Sequence, residues 1–473
     1  MNLHQYHTHM TQQHKSWLFR LSLVALVVLS CGSYLLTFMA QSDSVHVVNK
    51  VSTYTILQYC LMAIFMLLAW YSSPKSSDLT RYKILFITAF IMRVVLLGVE
   101  PYTSNDSSRY LFDGRIAYEG YDPYSVSHDA AELSTLREEW QPPQEHAAYV
   151  TIYPPLALAL FSFSSAFGVE YAQLVWRILL LAAGMLTVFI SALVLKKANK
   201  LNNLALVALS PLLVLETGVG LHVDAFSALA VVLAVYCWQR HSLISSGLVI
   251  GIGMSLKVLP VMLLLPLFFL QKSVKDASKL VLGWILSISL IYGGTIAMGY
   301  IPVGSISVFF AKWRNAAPIF TVLDEFFTPF QIILTLLSTA FIGLSAIAYI
   351  TFTRARDARL NPSIVYLCMQ GALTLPLVLS PVLFPWYLLP LIPLLALRPN
   401  IYLLFWLLLM PMTYEVLGNF LCCQHWQPAL WPAVLLGILY ALTLATLGYY
   451  GTKKTITFLH RDHASHSILE NTD

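Results

Sequence analysis

Long apolar runs separated by short polar turns follow one another along almost the whole chain, and crossing a bilayer takes about 20 predominantly apolar residues. The hydrophobic pattern predicts spans at about 17–39, 53–71, 82–99, 171–195, 202–217, 224–239, 279–299, 330–352, 363–379, 401–419 and 429–450. Two stretches depart from the pattern. Leu156–Gly168 is too short for a span, and a full crossing there would put Lys196, Lys197 and Lys200 on the wrong face. It reads as an interfacial or re-entrant helix opened by Pro154-Pro155. Ser242–Leu270 is interrupted by Lys257 and Pro260 and reads as two short helices. The expectation is an all-α polytopic membrane protein with about 12–14 transmembrane helices, short ones included.

The one long polar interval, Glu100–Pro155, stands apart from this pattern. From 100 to 153 it holds ten acidic residues against three basic ones, Arg109, Arg115 and Arg137. Basic residues mark cytoplasmic span ends. Of the 28 Lys and Arg residues, this layout puts 19 inside, seven outside and two (Arg93, Arg177) within spans. Both termini are therefore expected in the cytoplasm, with 100–155 as an extracytoplasmic loop of a cell membrane, a bacterial inner or plasma membrane being the natural host.

Composition reinforces the pattern. With 58% hydrophobic and only 11% charged residues, a soluble protein of this length could not keep its apolar surface from water. The net charge of +5 is accounted for by span ends, and no nucleic acid partner is expected. Six cysteines show neither metal-ligand nor disulfide-framework spacing; the first four are expected to be packing residues, and the adjacent Cys422 and Cys423, a pair able to oxidise if it faces outward, are expected to be unlinked. Residues 1–16, with His4, His7, His9 and His14, are expected to be a disordered cytoplasmic tail, 17–79 two additional N-terminal spans, 80–450 the main membrane domain and 451–473 a polar cytoplasmic tail. The first apolar run is too long for a signal peptide and lacks a small-residue cleavage site.

Within the polar loop stand Asn105-Asp106-Ser107-Ser108-Arg109-Tyr110, Asp113-Gly114-Arg115, Gly120-Tyr121-Asp122-Pro123-Tyr124 and Tyr153-Pro154-Pro155. Carboxylates beside cations at a membrane surface suit a group transfer in which a hydroxyl attacks an activated carbon. One carboxylate takes the proton as general base, and cations stabilise a departing phosphate. Asp106 and Asp113 are the candidate bases; Arg109, Arg115 and Lys257 are the candidate phosphate partners. Taken alone, such a loop is more often a solvated acidic surface.

The run Asp106–Arg115, with Gly120–Tyr124 and Thr151–Pro155, resembles the signature of polyprenol-phosphate-mannose-dependent mannosyltransferases of the glycosyltransferase C superfamily. It resembles less closely the catalytic subunit of the eukaryotic mannosyltransferase that builds lipid-anchored glycans. Gly220–Ala225, Ser255–Pro260 and the Pro385-Trp386-Tyr387 turn agree in type and order, so that the similarity runs from about residue 80 to 450. The resemblance implies a long first catalytic loop with Asp106 as general base and Asp113 organising the loop or acceptor site. It implies substrate-binding roles for Arg109, Tyr110, Arg115, Tyr153, His222, Asp224, Lys257, Trp386 and Tyr387. The donor it implies is a polyprenyl-phosphate sugar embedded in membrane lipid, and the acceptor a glycan or glycolipid. Transfer inverts the anomeric centre. No cofactor is called for. Where many relatives carry two close acids, this chain has Asn105-Asp106-Ser107, a poorer divalent-cation site than two carboxylates make. Two other classes stay open at this point, a transporter or flippase of lipid-linked glycans and a glycan polymer ligase.

Overall fold

The computed structural model describes residues 3–76, 78–355, 362–423 and 426–446. The C-terminal tail 451–473, Arg356 and Arg359 lie outside the described residues, as do the side chains of His4, His7 and His9. Among the described residues there is no strand, and one isolated bridge joins Asn315 to Val382. The fold is all-α, as the hydrophobic pattern predicts. Among the described residues seven helices are long and apolar enough to cross a membrane: Gln12–Ala40, Val45–Ser72, Gly168–Lys197, Leu201–Gly218, Val274–Ala297, Pro329–Arg354 and Ile401–Cys423. Six shorter apolar helices accompany them, among them Pro155–Ser165, Asp224–Gln239, Leu243–Met254 and Leu259–Phe269. The short helix after Pro154 and the two short helices around Lys257 are thus found where the breaks in the sequence put them.

Differences are local. Helical backbone begins at Leu3, so it takes in most of the stretch expected to be a disordered tail. The polar interval is not an open loop either. It contains a 13-residue helix, Asp106–Tyr118, followed by short turns that close over it. Cys422 and Cys423 are joined as a disulfide, where an unlinked pair was expected. The helix after Lys200 is interrupted: it stops at Ala208 and restarts at Pro211, whose ring suits the first helical position and whose neighbour Ser210 caps the new helix.

Broken helices leave carbonyls without intrahelical partners, which hydrocarbon cannot satisfy. The two arginines expected inside spans supply those partners. Arg93 donates to Ala89 O at 2.9 Å and to Ala208 O at 3.4 Å. Arg177 donates to Leu96 O at 3.2 Å and to Gly218 O at 3.3 Å, both at chain turns.

The helix 106–118 is held on the short helix 155–165 by near-contact of the two backbones. At Gly114 a Cβ would overlap the backbone of Phe161 and Ser162. Beside it Tyr110 stacks on Phe161, ring centroids 4.7 Å apart, and meets Tyr153 and Trp176 edge-on. Trp176 in turn donates its indole N–H to Leu221 O at 2.9 Å, which pins the turn Val219–Val223 against the same aromatic cluster. One buried core therefore fixes the loop helix, the interfacial helix and the turn carrying His222 relative to one another.

Candidate active site

The start of the loop helix lines a pocket of about 710 Å³, within the range of small-molecule sites. Asp106 opens the loop helix and lines the pocket, its backbone N–H bonded to Ser104 Oγ at 3.0 Å. A carboxylate in the first helical turn is favoured by the helix dipole. Its side chain retains 20% exposure. Burial raises its carboxyl above the ordinary range, against the opposing pull of Arg109 and Lys257; a raised value suits a base that must take and release a proton.

Arg109, one turn on, is buried and faces the pocket. Among the described residues its guanidinium makes no hydrogen bond or ion pair; it lies over the Tyr153 ring at 5.7 Å and feels the charges of Asp113 and Asp106 from farther off. Lys257 enters from the break between the two short helices. Its Nζ lies 3.2 Å from Asp224 Oδ2 and over the rings of Tyr387 (4.9 Å) and Tyr153 (5.7 Å). Two cations thus converge with Asp106 on a space walled by aromatic rings.

His222 sits behind Asp106, its Nδ1 3.6 Å from Asp106 Oδ2 and 3.4 Å from Tyr110 Oη. Trp386 stacks on the imidazole at 3.6 Å. Of the residues expected from sequence, Asp106, Arg109, Tyr153, Lys257, Trp386 and Tyr387 line the pocket, and Tyr110, His222 and Asp224 stand directly behind it.

The other two expected residues stand outside the pocket lining. Asp113 is fully buried and does not line the pocket. His128 Nε2 donates to its Oδ1 at 2.6 Å and Thr151 Oγ1 to its Oδ2 at 2.7 Å. Burial alone would raise this carboxyl, yet His128, Arg109 and Thr151 hold it below the ordinary range. Asp113 is the tie that closes the loop on itself, in keeping with the loop-organising role expected of it. Arg115 is nine residues beyond Asp106, about two and a half turns, and so emerges on the opposite face. There it pairs with Glu119 at 2.5 Å and lies over Trp140 and Tyr118, away from the pocket.

Several lining residues escape sequence reasoning. Glu145 and His146 arrive from the far end of the loop; Asn105 Nδ2 donates to Glu145 Oε1 at 2.5 Å. Burial beside Arg109 pushes His146 down to about 3, so its imidazole is neutral. Phe309 and Trp313, Phe384, and Phe420 and Trp426 complete the wall. Every charged lining residue comes from before 272, and every lining residue after it is aromatic. Among the described residues no three His, Cys, Asp or Glu side chains converge as a metal-ligand set.

An all-α membrane fold that brings a carboxylate and two cations to an aromatic-walled pocket fits the class of membrane glycosyltransferases. Residues 19–271, more than half of the chain, match the family described as alpha-(1->6)-mannopyranosyltransferase, N-terminal domain, and the chain belongs to that family. It is a mannosyltransferase. The matched region begins at residue 19 and so takes in the two N-terminal helices that the motif resemblance leaves out; it contains every site residue described above up to Lys257. The curated proteins contain no match to the chain.

Proposed function

We propose that the protein moves a mannosyl residue from a polyprenyl-phosphate donor to a hydroxyl of a glycan or glycolipid acceptor at the extracytoplasmic face, the family description suggesting an α-(1→6) linkage. The observation that carries this reading is the unpartnered guanidinium of Arg109 beside Asp106 and across from Lys257. A buried cation without an internal partner is costly unless a ligand supplies the charge, and a bidentate phosphate is the natural complement of a guanidinium fork.

In this scheme the acceptor oxygen forms a bond to C1 of the sugar as the bond from C1 to the phosphate oxygen breaks. The hydroxyl proton goes to Asp106. The electron pair of the broken bond leaves on polyprenyl phosphate, whose charge Arg109 and Lys257 stabilise. Attack opposite the leaving group inverts the centre, so a β-linked donor gives an α-mannoside. The aromatic wall offers flat faces to the sugar and the first prenyl units, while the lipid tail stays in the bilayer, each buried methylene adding about 0.8 kcal/mol to retention.

Purified protein in liposomes is expected to transfer radiolabelled mannose from polyprenyl-phosphate mannose and not from a nucleotide-activated mannose; the opposite preference would sink the donor assignment. Placement outside the cytoplasm is checked separately. Ser125 is exposed on the loop, and Ser125→Cys is expected to react with an impermeant maleimide added to intact cells. Labelling only after the membrane is opened would reverse the orientation.

A further inference from the structure

Behind Asp106 lies a second acid that the scheme above leaves unused. Glu216, near the end of the capped half-helix Pro211–Gly218, is fully buried. Its Oε1 accepts hydrogen bonds from Tyr59 and Tyr414, each at 2.6 Å. Two phenol donors on one oxygen are the partners an ionised carboxylate takes. Its Oε2 faces His222 Nε2 at 3.5 Å, and neither of these two buried atoms has another hydrogen-bond partner. At the other edge of the ring, Nδ1 faces Tyr110 and Asp106, while Tyr110 Oη also reaches Asp106 Oδ2 at 3.3 Å.

The ring cannot turn out of this row. Trp386 covers one face, and Gly220 abuts the junction so closely that a Cβ there would stand 2.6 Å from both Glu216 Oε2 and His222 Cδ2. The remaining charged groups nearby are Lys257 and its partner Asp224. In its ionised form Glu216 accepts and cannot donate; in that state the ring proton belongs on Nε2 and the Nδ1 lone pair points at Asp106.

We infer that His222, oriented by Glu216, is the second station for the proton that Asp106 takes from the acceptor. The protonated Asp106 gives its O–H proton to His222 Nδ1 and is restored as a carboxylate. The transient imidazolium lies between two carboxylates, and the proton returns through Asp106 to the pocket once product has left. Burial and the charge of Lys257 lower the proton affinity of His222, so it passes the proton on and does not trap it. Distances of 3.4–3.6 Å are those of a site without substrate, where catalytic hydrogen bonds are commonly long. This inference rests on Asp106 being the base. Glu216 is then a positioning residue, acting on the reaction only through the imidazole.

Glu216→Gln tests it. The amide oxygen can keep both tyrosine bonds, but the NH2 group would face Nε2 and drive the ring proton to Nδ1, the wrong side for a relay. We expect kcat to fall about 10- to 100-fold, on the order of a lost proton-transfer partner, with KM for the lipid donor unchanged. We also expect the residual rate to rise with buffer concentration at fixed pH, because buffer entering the pocket takes the proton from Asp106 directly. A merely structural role would show no such buffer dependence. His222→Gln, which leaves Glu216 and its tyrosines in place, should behave alike, and the double variant should be no slower than His222→Gln alone. If Asp106→Asn is inactive while both Glu216→Gln and His222→Gln match the wild type, or if their losses ignore buffer, the relay is overturned and the base assignment stands. If the wild-type protein transfers no mannose from lipid phosphate, the assignment beneath it fails instead.

Discussion

Replacing Asp106 by Asn is expected to reduce kcat for mannosyl transfer by about 10²–10⁴-fold, the usual worth of a positioned general base. Asn has the same shape and can still meet Tyr110, so the helix start and the aromatic cluster beneath it should stay intact. Only the capacity to take a proton disappears, and KM for the lipid donor should hardly move. The pH dependence follows from the same group. Asp106 works as the carboxylate, and burial raises its carboxyl above the ordinary range. The rate should therefore fall, as pH is lowered, at a higher pH than about 4, the ordinary carboxylate value, and the Asn variant should lack this acid limb. Initial rates with radiolabelled donor across pH check both outcomes, and an Asn variant that transfers sugar unimpaired would remove Asp106 from the reaction.

Arg109→Gln should cost about 10²–10³ in kcat, the scale on which a preorganised donor to developing charge acts. The pocket holds only two cations, and Lys257 already shares its charge with Asp224 at 3.2 Å. Arg109 interacts with Asp106 and Asp113 only at a distance and has no carboxylate in direct contact, so most of the neutralisation of the departing phosphate falls to it. Arg109→Lys should recover part of the loss, because the charge returns without the planar fork. Tight binding of free polyprenyl phosphate should weaken in both variants, which a competition measurement reads independently of turnover. Near-normal kcat in Arg109→Gln would move the phosphate elsewhere.

The all-α character and most of the long helices are legible in the sequence because hydrocarbon enforces them: apolar run length and proline breaks lead to the observed elements, including the short helix after Pro154. Among the described residues, however, the runs at 82–99, 224–239, 363–379 and 429–450 form helices shorter than a full span. Much of the site is legible too, since Asp106, Arg109, Tyr153, Lys257, Trp386 and Tyr387 share the pocket wall. Arg115 misleads because the stretch reads as loop, where neighbours in sequence are neighbours in space, whereas a helix there sends it to the opposite face. Asp113 shares a helical face with Asp106, seven residues being about two turns, but the returning strand of chain at His128 and Thr151 covers it. Glu216 with Tyr59 and Tyr414 is not legible at all. Its partners lie 157 and 198 residues away, and nothing in one sequence pairs positions so distant.

The pocket wall has a seam near residue 272, with all charge on one side and only rings on the other. The charged groups thus lie in one stretch of the chain, while the rings of the other share the shaping of the cavity with uncharged residues of the first. Exchanging Phe309, Trp313, Phe420 or Trp426 for smaller or larger side chains reshapes what the cavity admits while the proton and phosphate machinery stays as it is. A lineage could retune its acceptor by drift in the second half alone, keeping the first half as a fixed engine.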